Sequence, residues 1–161
     1  MSVNPRFYKG TPLQRAQVKS AASKTWEAGQ FARSTDSGWV PVKSNGSQIN
    51  GMYVATQASS TAAGDKIWVD RIVSADTLLV GCVTSGGTDT KCPSSCVGGN
   101  YGVAVNSCIA TVSTGNDSTE ILHIYDLLAD LEGQMNDTSD VPGKVVFGVV
   151  ASALTAEGSG L

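Results

Sequence analysis

The spacing of the turns constrains this chain more than any other feature. From Thr25 onward, short apolar runs alternate with breaks rich in Gly, Asn and Asp: Gln30-Phe-Ala-Arg, Asp36-Ser-Gly, Trp39-Val-Pro-Val, Asn45-Gly-Ser, then residues 49–55. Gly and Asn accept the positive φ of tight hairpin turns, so these breaks read as reversals between strands. Residues 66–73 and 77–84 continue with β-branched and aromatic side chains suited to a pleated, half-buried surface, and residues 144–153 return to the pattern. The expectation is a mainly β fold, a small β-barrel or β-sandwich. No segment approaches the ~18 apolar residues of a membrane helix, and no signal-peptide core opens the chain.

One segment departs from strand spacing. Apolar residues at 121, 124, 125, 128 and 131 fall at helical intervals, Asp117 and Glu120 stand three apart as in a capping box, and Gly133 sits where a helix would stop. This predicts one short helix over about 118–132, although residues 120–125 also suit the start of a strand. The helix belongs to a helix-loop insertion spanning 116–143.

Charge divides the chain. Residues 1–33 carry Arg6, Lys9, Arg15, Lys19, Lys24 and Arg33 against Glu27 alone, whereas the other 128 residues of the 161 carry five cations against thirteen carboxylates. Pro5, Gly10 and Pro12 disfavour regular structure, so residues 1–24 read as an extended basic N-terminal arm on a single β-rich domain, 25–161. Arg6, Phe7, Tyr8, Lys9 and Arg15 supply the cationic and aromatic groups that carry interface energy, which makes them the candidate docking residues. A solvated tail is the plainer alternative.

Cys82, Cys92, Cys96 and Cys108 have nine, three and eleven residues between them. That spacing lacks the paired knuckles of a zinc site and the Cys-x-x-Cys of a redox centre. If residues 77–112 form one long hairpin, Cys82–Cys108 and Cys92–Cys96 are both centred near residue 94 or 95, which favours nested disulfides. Buried thiols and a metal site stay open beside that reading.

Concentrated chemistry is otherwise missing. The lone histidine, His123, lies among packing residues, and the acidic run Asp126, Asp130, Glu132, Asp137 and Asp140 lacks the ligand alternation of a calcium loop. With no phosphate loop, dinucleotide fingerprint or basic stripe interleaved with aromatics, the expectation is a non-enzyme with no cofactor, no metal and no direct nucleic-acid contact. Only 16% of residues are charged, against about 25% in typical proteins, so the surface is rich in Ser, Thr and Asn. Any one of Trp26, Trp39 and Trp68 left exposed would serve protein or carbohydrate binding.

The runs Trp26-Glu-Ala-Gly-Gln-Phe-Ala-Arg-Ser-Thr-Asp-Ser-Gly-Trp-Val-Pro-Val, Ile49-Asn-Gly-Met-Tyr-Val-Ala and Ala62-Ala-Gly-Asp-Lys-Ile-Trp-Val resemble capsid decoration (cement) proteins of tailed bacteriophages. The resemblance covers roughly residues 25–73 and, more loosely, 146–160. It implies a small β-barrel that sits as a trimer on the outer surface of the phage head and braces the major capsid protein, after assembly in the host cytoplasm. The cysteine hairpin and the helix depart from that pattern. A carbohydrate-binding or adhesin-like β module of a virion fibre or cell surface is the competing expectation.

Overall fold

The computed structural model describes residues 5–43, 46–55, 60–85, 88–92, 94–106, 109–113, 119–127 and 143–154. The fold is mainly β. In chain order the strands are β1 (Arg6–Lys9), β2 (Gln14–Lys19), β3 (Phe31–Thr35), β4 (Gly38–Pro41), β5 (Gly51–Tyr53), β6 (Lys66–Arg71), β7 (Leu78–Ser85), β8 (Thr88–Asp89), β9 (Asn100–Asn106), β10 (Ile109–Ser113), β11 (Leu122–Leu127) and β12 (Lys144–Val149). Two 3₁₀ turns, Ser94–Cys96 and Ala151–Leu154, complete the described elements.

The strands form two sheets, and each closes on itself. In the first, β7 pairs β10, β10 pairs β9, β9 pairs β11, β11 pairs β12, and β12 returns to β7. All of these pairings are antiparallel except β7–β10. In the second, the order is β2-β6-β5-β3-β4, and its two ends meet where Ser20 bridges Trp39 and the Ala21 amide donates to the Trp39 carbonyl at 3.0 Å. Closure removes most of the open strand edge that a flat sheet would present.

Alternation explains the second ring. In β6, Ile67 and Val69 point inward while Lys66 and Trp68 point out; β2 contributes Val18, and β5 contributes Tyr53. Trp26 and Trp39 fill the interior, with the Trp26 and Tyr53 ring centroids 5.0 Å apart. Polar groups are also enclosed: Ser20 Oγ accepts from Trp26 Nε1 at 3.2 Å and lies 2.9 Å from Thr61 Oγ1, which donates to the Ala21 carbonyl at 2.7 Å.

The larger core cluster fills the first ring and continues onto the outer face of the second. Leu79, Val83, Val103, Leu122, Ile124 and Phe147 meet Phe31, Val42, Ile49, Met52 and Ile72. Phe31 and Phe147 pack edge to face with centroids 6.3 Å apart, an arrangement that suits the aromatic quadrupole. Gly81 makes room for this pair, because a Cβ there would lie 2.9 Å from Phe147 Cε1. The Ala151–Leu154 turn adds polar ties: the Ile49 amide donates to the Ala153 carbonyl at 2.9 Å, and Asn50 Nδ2 to the Leu154 carbonyl at 3.3 Å.

Three expectations are corrected. Residues 6–9 and 14–19 are not a loose arm: β1 pairs with β7, and β2 pairs with β6 over six residue pairs. Backbone pairing stabilises these largely exposed segments, where apolar burial is slight. The expected helix is a strand over Leu122–Leu127, held between β9 and β12, with residues 128–132 outside the described region. Leu122 and Ile124 point inward and Tyr125 outward, and a register shift between Ile124 and Asp126 leaves Asp126 exposed as well; this bulge disguised the alternation. Finally, 77–112 is not one hairpin. β9 turns back onto β10, and β7 finds its long antiparallel partner in β12.

Candidate docking surface

Strand β1 is an edge strand whose side chains are all exposed. Phe7 is 40% and Tyr8 49% accessible, each flanked by a cation, Arg6 or Lys9. The register against β7 slips between Phe7 and Lys9, so Tyr8 sits at an irregularity. The strand is nevertheless held at its C-terminal end. Gly10 has φ +93°, and a Cβ there would lie 2.0 Å from the Asp76 carbonyl oxygen, so only glycine fits. Thr77 Oγ1 donates to the Thr11 carbonyl at 2.7 Å, while hydrogen bonds from Ser74 and Thr11 hold the Asp76 carboxyl below its usual range. Leu13 then packs against the larger core.

Four of the five candidate docking residues, Arg6, Phe7, Tyr8 and Lys9, therefore share one strand. Arg15 does not join them. It lies on β2 in the other sheet, where its Nε and Nη2 donate to Asp70 Oδ1 and Oδ2 at 2.8 and 3.0 Å. That hydrogen-bonded fork, with the attraction of the carboxylate, raises the Arg15 pKa above its ordinary value. Its charge is already matched within the fold.

Trp68 is the aromatic that sequence reasoning did not single out. It is half exposed, beside Gln17 across the β2–β6 ladder, and the next pair along the ladder on that face is Lys19 with Lys66. The alternation in Lys66-Ile-Trp-Val-Asp-Arg carried the signal, since burying Ile67 and Val69 turns Trp68 outward. Trp26 and Trp39 are core residues.

Cys82, Cys92 and Cys96 are buried thiols in this structure, and Cys108 lies outside the described residues. The hairpin symmetry behind the nested pairing is lost, because Cys82 on β7 stands opposite Lys144 of β12. Cys92 and Cys96 remain neighbours; burial first, and then the adjacent Cys96, push the Cys92 thiol up to about 12. His123 Nδ1 lies 2.6 Å from Asn100 Oδ1, and the ring stacks edge to face on Tyr125. Among the described residues no group of three or more His, Cys, Asp or Glu gathers as a metal site would, and no helix is long and apolar enough to cross a membrane. No protein-family model, curated protein or solved structure matches the chain.

Proposed function

We propose that this chain is a structural virion protein, a capsid decoration protein that binds the outside of a phage head as a homotrimer and stabilises contacts of the major capsid protein. The observation that carries the reading is β1: two aromatic and two cationic side chains, all exposed, on an edge strand fixed to the barrel. Aromatic and arginine side chains dominate interface energetics, and an edge strand offers backbone groups for strand addition. Docking through a fixed strand avoids the ordering cost of a disordered arm. Cosedimentation with purified heads tests it. The native chain pellets with heads and Arg6→Glu/Phe7→Ser/Tyr8→Ser/Lys9→Glu stays in the supernatant; equal occupancy by the two refutes β1 docking.

The half-exposed Trp68 favours a second reading, a carbohydrate-binding module. Glycan-array binding abolished by Trp68→Ala supports that reading, and an array blank at micromolar protein removes it.

A further inference from the structure

A cleft of about 1030 Å³ opens on the second ring, between the chain around Lys24, strands β3 and β4, and residues Lys43, Gly46 and Ser47. Among the described residues its charged lining is Lys24, Arg33 and Lys43, with no carboxylate. Glu27 and Asp36, close in sequence, stay out of the lining. Lys24 and Arg33 are half-buried, and among the described residues neither their side chains nor that of Lys43 has an ion-pair or hydrogen-bond partner. Cations held partly out of water without partners keep an attraction for negative charge that exposed lysines lose to solvent.

Gln30 points the same way. It is buried, its Oε1 accepts from the Glu27 amide at 3.2 Å, and its side-chain NH₂ is thereby left as a donor at the cleft wall. Ser37 and Ser47 add hydroxyls, and Val40 and Val42 give an apolar floor. The volume stands at the upper end of the ~300–1,000 Å³ of ligand pockets, far more than a lone inorganic anion fills. Dispersed cations over a mixed polar and apolar floor match an extended chain that carries several carboxylates.

We infer that this cleft binds an acidic peptide segment, with Arg33 as its central carboxylate partner and Lys24 and Lys43 flanking. Arg33 presents the forked donors that fit a carboxylate in two-point contact. The chain's own sequence contains a stretch of the required chemistry: residues 126–140 hold Asp126, Asp130, Glu132, Asp137 and Asp140 with no lysine or arginine. The inference does not depend on the decoration reading.

The test is fluorescence anisotropy of a labelled peptide of residues 126–140 titrated with the full chain, beside a version with every carboxylate changed to its amide. The acidic peptide binds, the amide version does not, and affinity falls as salt rises. Arg33→Glu and Lys43→Glu each weaken binding about tenfold or more, whereas Lys66→Glu leaves it unchanged. Lys43 is exposed, so its variant remains informative should Arg33→Glu fail to fold. Equal binding of the two peptides, native affinity in Lys43→Glu, displacement by millimolar inorganic phosphate, or tighter binding of a single-stranded oligonucleotide would each overturn the inference.

Discussion

Phe147→Ala is the sharpest perturbation of this fold, because Phe147 belongs to the first ring while every tryptophan of the chain belongs to the second. Truncating a fully buried phenylalanine costs about 3–5 kcal/mol, from lost transfer energy and the residual cavity. Against a typical total of ~5–15 kcal/mol, that removes a large part of the stability. Urea unfolding followed by tryptophan fluorescence therefore reports on a ring that was not mutated. With a urea slope of about 2 kcal/mol/M, the midpoint should fall by about 2 M, and far-UV circular dichroism should fall with it. The double-mutant cycle with Phe31→Ala should return a coupling of about 0.5–1.5 kcal/mol, the range for edge-to-face aromatic pairs. A tryptophan transition that stays at its native midpoint while the dichroism splits into two steps refutes the reasoning, since the rings would then unfold independently.

Asn50→Ala should cost about 1–3 kcal/mol in the same assay, because Asn50 Oδ1 accepts from the Ser34 amide and from Gln48 Nε2, both at 2.8 Å, and truncation removes both bonds at a buried site; an unchanged midpoint would show that these bonds are replaced. Cys92 should resist iodoacetamide at pH 8.5 and label only after denaturation, and rapid native labelling would contradict its burial. The same thiol makes stability decline in alkali: its folded pKa of about 12 exceeds the ordinary 9.0, so the unfolded chain ionises first and stability drops as pH rises from about 9 toward 12. A cysteine-to-serine variant at 92 with an unchanged alkaline profile would remove that assignment. Phe7→Ser/Tyr8→Ser should leave the unfolding free energy within about 0.5 kcal/mol of native while losing attachment to heads, because both side chains are exposed; a large loss of stability would show that they pack.

Much of the strand content was legible in the residues. β3 to β7 and β12 fall on the runs that turn punctuation and β-branched content mark out, because their inward positions are filled by Phe31, Trp39, Val69, Leu79 and Phe147. β1 and β2 left little imprint. β2 buries Val18 alone and is held by its ladder to β6, an interaction that backbone atoms make whatever the side chains are. The segment from 121 to 125 misled for the opposite reason: adjacent Ile121 and Leu122 are both buried, and the bulge before Asp126 breaks the two-residue period. Pairing was harder still, since a centre of symmetry between cysteines presumes that neighbouring strands join, whereas β7 reaches β12. Of the site, the residues of β1 were visible as chemistry and Trp68 as alternation. The cleft was not, because Lys24, Arg33 and Lys43 converge only once β3 and β4 fold together.

Strand β7 pairs with β1, β8, β10 and β12, so the partners it needs are spread from residue 6 to residue 149. On a ribosome adding ~5–20 residues per second, the last of them emerges about 3–13 s after β7 itself. During that interval Leu79, Val80, Val83 and their neighbours have no ring to enter. Closing loops of this length is slow even once the chain is complete. Strand β1, already synthesised, is the first partner available to cover one edge of the waiting strand. Removing residues 5–10 should accordingly lower the soluble yield during expression far more than it lowers the melting temperature of the protein that does fold.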